Sequence, residues 1–209
     1  MPPWVAHAAR GSITRACCCN WGSAPNCLRI APEQFTRLIQ SLWLALDDEY
    51  LGFGKAASKP GSFAMMCHAS IHCRNLEKAL QRGLLFYSLF PDAPRLTLSR
   101  EDEWVRLSLD DSQLWDPDHF LSESLLVIWH RLGSWLIGQR IRLEQATFSY
   151  AKPAHGAEYD LLFPCPLVFS ADRSSLLFHS RYLHMPLLQD ERTLKHFLER
   201  SPADLLSRP

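Results

Sequence analysis

Apolar side chains recur every three or four positions in several stretches of the chain, and this spacing is typical of amphipathic helices. One predicted helix begins at Pro32 and ends at a solvated run of acidic residues, 47–49. The longest predicted helix covers residues 120–137 and is followed by Gly138. Four further helices are predicted, over residues 62–72, 76–87, 158–163 and 191–200. A strand is the alternative for residues 62–72, and Asn75 is the predicted N-cap of the helix over residues 76–87.

Residues 95–99 and 104–109 instead alternate apolar and polar side chains on either side of a charged turn, residues 100–103. Alternation with a period of two predicts a β-hairpin. Shorter strands are predicted over residues 146–150, 166–170 and 176–178. Helices interleaved with short strands, several of them joined by hairpins, predict a single α+β domain in which helices pack on a mainly antiparallel β-sheet.

Composition and charge narrow the classes of function. The chain has 209 residues, of which 47% are hydrophobic and 21% are charged, as in a globular domain with a sizeable core. Its 22 basic and 22 acidic residues balance, whereas binding to nucleic-acid phosphates needs a clustered surplus of Lys and Arg. The balance argues against DNA binding by this segment alone, and it fits a protein that self-associates.

Neither a membrane segment nor an export signal is predicted. The longest apolar stretch, residues 121–137, is interrupted by Glu123, His130 and Arg131. The N-terminus lacks a basic segment followed by a long apolar block, so it does not resemble a secretory signal. We therefore expect a cytoplasmic protein whose seven cysteines are reduced thiols without a native disulfide.

Cysteine and histidine side chains form two groups that suggest metal or redox chemistry. Residues 67–73 read Cys-His-x-x-x-His-Cys, and His68 and His72 would lie one turn apart on a helix. A structural zinc site needs a second ligand pair, which the sequence lacks, so packing of small polar residues is the competing interpretation. Residues 17–19 are consecutive cysteines, with Cys27 nearby, and suggest a soft-metal or oxidant-sensing site. The competing interpretation is a structurally undetermined, Cys-rich segment over residues 1–28.

The longest predicted helix carries Trp129, His130 and Trp135 among apolar residues, which suggests a ligand pocket or, more frequently, core packing. Its core-facing positions are predicted to be Leu125, Ile128 and Leu132. The chain contains no Gly-x-Ser-x-Gly elbow, His-Glu-x-x-His helix, phosphate-binding loop or dinucleotide-binding glycine pattern. We therefore predict neither an enzymatic activity nor a cofactor.

Nine short segments carry a further pattern. They are Arg-Ile-Ala-Pro-Glu-Gln-Phe at 29–35, Asp-Glu-Tyr-Leu-Gly-Phe at 48–53, Gly-Ser-Phe-Ala-Met-Met-Cys at 61–67, Asn-Leu-Glu-Lys-Ala-Leu at 75–80, Phe-Tyr at 86–87, Ser-Trp-Leu-Ile-Gly at 134–138, Tyr-x-x-Leu-Phe at 159–163, Pro-x-x-Phe at 166–169 and Tyr-Leu-x-x-Pro at 182–186. In their order and spacing these segments resemble the N-terminal ligand-binding (arabinose-binding-like) domain of bacterial transcription regulators of the AraC/XylS family.

The resemblance implies that residues 29–209 form an effector-binding and dimerising domain without enzymatic activity. A small-molecule effector would shift the domain between two states, and so control DNA binding by an attached helix-turn-helix domain that this chain lacks. The resemblance further implies a homodimer that contacts DNA only through that missing domain and does not contact a membrane. The predicted effector-binding residues are Phe63, Met66, His68, Phe86, Tyr87, Trp129 and Trp135.

Two alternatives stay open. The first is a haem, metal or redox sensor in which His68, His72 or His130 is a ligand. The second is a module that serves only for dimerisation. If a small molecule does bind, we expect His68, His130 or Tyr87 to fix its orientation by a hydrogen bond.

Overall fold

The computed structural model describes residues 31–201. The predictions for the Cys-rich segment 1–28, with Cys17, Cys18, Cys19 and Cys27, lie outside these residues. Within residues 31–201 the chain forms one α+β domain of six α-helices and a five-stranded sheet, as the sequence pattern predicts. The cysteines of this part of the chain, Cys67, Cys73 and Cys165, are free thiols.

The helices follow the predicted stretches closely. They are α1 (Pro32–Leu46), α2 (Ser62–Ser70), α3 (Leu76–Ser88), α4 (Phe120–Leu136), α5 (Tyr159–Leu162) and α6 (Glu191–Glu199). The strand considered for residues 62–72 is wrong, because these residues form α2. Two short 3₁₀ segments, Gly156–Glu158 and Ser180–His184, precede α5 and follow the last strand.

Side chains and backbone conformation account for the ends of these helices. Asn75 caps α3, since its side chain accepts a hydrogen bond from the backbone N–H of Lys78 at 3.1 Å. Asp190 caps α6 in the same way, through the N–H of Thr193 at 2.8 Å. Asp47 ends α1 in the left-handed conformation with φ of 53°.

The sheet has the strand order β1-β2-β5-β3-β4. Its strands are β1 (Arg95–Glu101), β2 (Trp104–Asp110), β3 (Leu143–Thr147), β4 (Leu167–Val168) and β5 (Ser174–His179). The predicted hairpin is confirmed, with β1 antiparallel to β2 and Glu101 opposite Trp104 next to the turn. All neighbouring strands pair antiparallel except β3 and β4, which are parallel.

Strand β3 begins and ends three residues earlier than the sequence predicts. The residues that follow it still pair across the sheet edge: the N–H of Phe148 donates to Val168 at 2.8 Å, and the N–H of Ser170 donates to Tyr150 at 2.8 Å. The strand predicted over residues 166–170 shortens to two residues, Leu167 and Val168.

Two hydrophobic cores lie in the domain, and α4 contributes to both. The first core includes Trp129 and Leu132 of α4, packed with α2, α3 and α6. The second includes Leu125 of α4, packed with α1 and the segment around Phe148. Of the predicted core-facing positions, Leu125 and Leu132 are buried, and Ile128 is half-buried against the first core. Among the helices of residues 31–201, none has the length and apolar character that a membrane crossing requires.

Candidate functional site

Six of the seven predicted effector-binding residues lie in or against the first core, and five of them come from the three helices α2, α3 and α4 around Tyr87. Phe63 and Met66 lie on α2, Phe86 and Tyr87 on α3, and Trp129 on α4. The Tyr87 and Trp129 rings meet edge to face, with centroids 6.3 Å apart, and the Phe86 ring lies 5.4 Å from that of Tyr87. Each ring therefore packs in the geometry that its quadrupole favours.

The other two predicted residues lie apart from the rings around Tyr87. The side chain of His68 is exposed at the surface of α2. The ring of Trp135 stacks on Phe197 of α6, with centroids 4.3 Å apart and planes 17° from parallel. Neither side chain belongs to the aromatic group around Tyr87.

At the middle of α3 the three helices are in direct contact. A Cβ atom at Gly83 would lie 2.8 Å from Cη2 of Trp129 and 2.9 Å from Sδ of Met66, so the absence of a side chain permits this close approach. The three helices therefore leave no room for a ligand at Gly83 itself; Phe86 and Tyr87 follow it on α3, and Phe90 lies just past the end of that helix.

The loop between α1 and α2 joins the second core, against which Tyr87 also packs, through Tyr50, Leu51 and Phe53. Asp48 fixes its shape, since the buried carboxylate accepts hydrogen bonds from the backbone N–H groups of Tyr50 at 2.9 Å, Gly52 at 2.7 Å and Ser58 at 2.7 Å. The prediction that residues 47–49 form a solvated helix end is therefore wrong for Asp48. The buried carboxylate is stabilised inside the loop because it accepts three hydrogen bonds from backbone N–H groups.

Glu49 joins this loop to the start of α2. Its two carboxylate oxygens accept hydrogen bonds from the N–H of Gly61 at 2.7 Å and from the N–H of Phe63 at 3.0 Å. These are N–H groups of the first turn of α2, which has no side-chain cap of its own. Burial raises the pKa of Glu49 above its ordinary value, and the neighbouring charge of Asp48 raises it further.

Tyr87 stands at the centre of the group. Its side chain packs against both cores, and its hydroxyl forms no hydrogen bond with a residue of the described chain. Burial raises the pKa of Tyr87 well above that of free tyrosine, and the nearby acids Tyr50, Glu49 and Cys67 add to the shift. Its phenol therefore stays neutral at physiological pH and can both donate and accept a hydrogen bond.

Two further weak acids, Cys67 and Tyr50, lie near enough to Tyr87 to act on its pKa. Burial raises the pKa of the Cys67 thiol to about 12, and the charge of Glu49 contributes to that rise. Burial likewise raises the pKa of Tyr50, whose side chain is 7% exposed. We refer to these surroundings as the Tyr87 cluster, defined by Glu49, Tyr50, Phe63, Met66, Phe86, Tyr87, Phe90 and Trp129.

Reasoning from sequence missed Glu49, Tyr50 and Phe90 as members of the cluster. Phe90 follows the end of α3, where its ring lies 5.3 Å from Phe86 and 6.4 Å from Tyr87. A third aromatic residue one turn beyond Phe86 is a pattern that could have identified it. No local pattern identifies Glu49, because its partners are twelve and fourteen residues away.

The histidines considered as metal or haem ligands are not brought together. His130 is buried and donates from Nε2 to the carbonyl of Ile141 at 2.8 Å, and burial lowers its pKa to about 4. The imidazoles of His68 and His72 are exposed, whereas the thiols of Cys67 and Cys73 lie in the core. In residues 31–201, no three His, Cys, Asp or Glu side chains are grouped as a metal site requires.

Comparisons with known proteins give the family. The family described as the arabinose-binding domain of AraC transcription regulators, N-terminal, matches residues 24–187. The ornithine utilization regulator of Pseudomonas aeruginosa is 26% identical over 121 residues, which are 57% of this chain and 36% of that regulator. The crystal structure of the transcriptional regulator CdpR from Pseudomonas aeruginosa is similar with a TM-score of 0.49 and 13% identity, over 93% of this chain and 55% of that one.

The chain thus spans about a third of one relative and about half of the other. The family match, in contrast, covers most of the chain, from ahead of α1 to just before α6, and it includes every residue of the Tyr87 cluster. The chain belongs to the family of N-terminal arabinose-binding domains of AraC transcription regulators.

Proposed function

We propose that this chain is an effector-sensing regulatory domain, which binds a small molecule and thereby controls DNA binding by an attached helix-turn-helix domain. The observation that carries the proposal is the family match over residues 24–187. The balanced charge of the chain supports a separate DNA-binding domain, because a segment without a surplus of basic residues depends on another domain to bind DNA phosphates.

The Tyr87 cluster is the proposed effector site. It lies where α2, α3, α4 and the loop 47–61 meet, and Tyr87 packs against both cores. An unbonded hydroxyl among aromatic rings offers the combination of apolar wall and few polar groups that small-molecule sites use. A ligand bound here would contact elements of both cores, and a ligand that binds one arrangement of them better would shift the population toward it.

The proposed site keeps Phe63, Met66, Phe86, Tyr87 and Trp129 from the sequence prediction. It leaves out His68, whose side chain is exposed, and Trp135, which stacks on α6. It adds Glu49, Tyr50 and Phe90. Tyr87, and not His68 or His130, is the group proposed to orient the ligand, because the ring of His130 is already held by Ile141.

Thermal unfolding of the full chain with a small-molecule library tests the proposal. Ornithine should be included because the ornithine utilization regulator is similar to this chain. A ligand that binds the folded state alone raises the midpoint Tm by mass action, by an amount that grows with its concentration. We expect at least one compound to do so, and we expect Tyr87→Phe to reduce its effect.

The matched control is Tyr182→Phe. The hydroxyl of Tyr182 accepts from the N–H of Arg142 at 3.3 Å, away from the Tyr87 cluster, so this variant should keep the response to the ligand. In the regulator that carries both domains, the same compound should change transcription from a reporter promoter, and Tyr87→Phe should make that change smaller. A library that shifts Tm equally in wild type and Tyr87→Phe would place the site elsewhere.

A further inference from the structure

We propose that β1 binds a second copy of this chain: the two β1 strands pair antiparallel about Leu98 and join the two sheets into one. The partner is identified by the strand itself, because the sequence of β1 is complementary to its own reverse in one register. The inference goes beyond the proposed function, since it concerns the edge of the sheet and not the Tyr87 cluster.

Strand β1 is an open edge of the sheet. In the sheet of residues 31–201 it lies at one end of the strand order and is seven residues long, whereas β4 at the other end has two residues and directly follows Pro166. Unpaired N–H and C=O groups on a long edge strand are a template for pairing with another chain. Within the described chain, the backbone groups of β1 that point away from β2 bond to no other residue.

The hairpin turn determines which residues of β1 direct their backbone groups to the open edge. The turn has two residues, so the pair Glu101 and Trp104 that closes it exchanges backbone hydrogen bonds. On the far side of β2, the N–H of Ser180 donates to the carbonyl of Glu103 at 2.8 Å, as this alternation requires. Every second residue of β1, counted back from Glu101, therefore bonds to β2. The residues between them direct both backbone groups to the open edge: Leu96, Leu98 and Arg100.

One antiparallel register uses all three of these outward-facing residues. With Leu98 opposite Leu98 of the second copy, Leu96 of each copy lies opposite Arg100 of the other, and each of these pairs exchanges both N–H···O bonds. A shift of the pairing by one residue would set outward-facing residues against inward-facing ones, and no regular ladder would form. A shift by two residues would leave one of the three without a partner.

The same register brings opposite charges together. Arg95 of each copy lies opposite Glu101 of the other, at a non-hydrogen-bonded position, where side chains of neighbouring strands are closest. Arg95 is exposed and forms no ion pair with a residue of the described chain. Glu101 accepts from Arg106 at 2.6 and 2.9 Å, one bond on each oxygen, and a carboxylate has about four acceptor positions. Pairing would therefore add an ion pair at each end without breaking one.

The apolar side chains of β1 also have surface left to cover. Leu96 and Leu98 pack against the first core but are only half-buried, whereas Val105 and Leu107 of β2 are buried. The helices therefore cover β2 more completely than β1. In the proposed register the two Leu98 side chains meet, and part of this remaining surface leaves water.

The competing explanation is that the charges of β1 protect the edge. Charged side chains on an edge strand discourage pairing with other chains. Protection predicts a monomer, whichever charges stand at positions 95 and 101. Docking predicts that association follows the complementarity of those charges.

Exchanging the two charges in separate chains tests the proposal. Sedimentation equilibrium of the full chain should show a monomer–dimer equilibrium in the micromolar range. Arg95→Glu and Glu101→Lys each set like charges against one another at both ends, so each variant alone should self-associate at least about tenfold more weakly. An equimolar mixture of the two variants should recover dimerisation, because the mixed dimer has unlike charges at both ends. Recovery also shows that both variants are folded.

Arg192→Glu is the matched control, because Arg192 is exposed on α6 and the same change of charge there should leave association unchanged. Cross-linking checks the register: a Thr97→Cys chain mixed with a Ser99→Cys chain should form a disulfide-linked dimer faster than either chain alone, with wild type as the background. A full chain that stays monomeric overturns the inference, and so does a dimer that neither charge variant weakens. If the variants fail to fold, the cross-linking still decides. Effector binding by monomeric Arg95→Glu would leave the proposed function standing in either case.

Discussion

The hydroxyl of Tyr150 donates a hydrogen bond to the carboxyl group of Glu123 at 3.2 Å, inside the second core. The same hydroxyl lies 3.1 Å from that of Tyr159, so the two tyrosines and the acid form a continuous chain. Burial, with a smaller contribution from the nearby carboxylate of Asp116, raises the pKa of Glu123 to about 8. Glu123 is therefore largely protonated in the folded protein at neutral pH.

Glu123 makes the stability of the domain depend on pH between about 4.5 and 8. In the unfolded chain its pKa is near 4.5, so between about pH 4.5 and 8 the folded state binds more protons than the unfolded state. The free energy of unfolding therefore falls as pH rises through this window, and Glu123→Gln, which cannot ionise, should remove that fall. We expect the variant to exceed wild type at pH 8 by on the order of 1 kcal/mol or more, and by less at pH 5.

Urea unfolding at a series of pH values measures this difference. Glu144→Gln is the control, because Glu144 is an exposed carboxylate on β3 and its loss should leave the pH profile of stability unchanged. A constant difference between Glu123→Gln and wild type from pH 5 to 8 would show that Glu123 is ionised in the folded protein.

His130 contributes on the acid side. Burial lowers its pKa to about 4 from an ordinary 6.5, so between these values the unfolded state binds more protons and stability falls as pH falls. His130→Gln can still donate to Ile141 but cannot take up a proton. We expect the free energy of unfolding of His130→Gln at pH 7 to be about 1 kcal/mol below that of wild type, because the new side chain packs imperfectly. This difference from wild type should become smaller as pH falls from 6.5 to 4. A deficit that widens toward pH 4 would contradict the buried, neutral state of this imidazole.

The helices and the hairpin could be predicted from sequence because their patterns are local. Asn75, for example, precedes an apolar stripe and caps α3 as expected. The proposed site could be predicted only in part. Aromatic residues of α2, α3 and α4 marked the region, but Glu49 belongs to it through contacts with the start of the next helix, which depend on how the loop folds.

The predictions for His68 and Trp135 failed for a different reason. On α2 the buried positions are Ser62, Met66, Cys67 and Ser70, so position 68 points away from that face, and helical spacing already implied it. Trp135 is on the correct helix, but it packs against α6. The sequence predicted α6 as an element without indicating which helix it would contact.

Gly83 tests the contact between α2, α3 and α4. Ala favours a helix over Gly by about 1 kcal/mol, but its Cβ would lie 2.8 Å from the ring of Trp129. Overpacking of this kind costs about 1 to 3 kcal/mol, so Gly83→Ala should lower the free energy of unfolding. Gln81→Ala, at an exposed position of the same helix, is the control and should be near neutral or slightly stabilising. Equal stabilisation by both substitutions would mean that the three helices leave space at Gly83.

Asp48 tests whether the loop shape matters to the proposed site. Asp48→Ala leaves the N–H groups of Tyr50, Gly52 and Ser58 without their acceptor, and the cost should be about 2 to 4 kcal/mol of stability, because charged hydrogen bonds of this kind are among the stronger ones. Asp48→Asn keeps one carbonyl oxygen and should recover part of that loss.

Since the same loop carries Glu49 and Tyr50, Asp48→Ala should also weaken the binding of any ligand to the Tyr87 cluster, by more than its effect on stability alone accounts for. Calorimetric titration at a temperature where the variant is folded separates the two effects. Unchanged ligand affinity in folded Asp48→Ala would show that the loop is not part of the binding site.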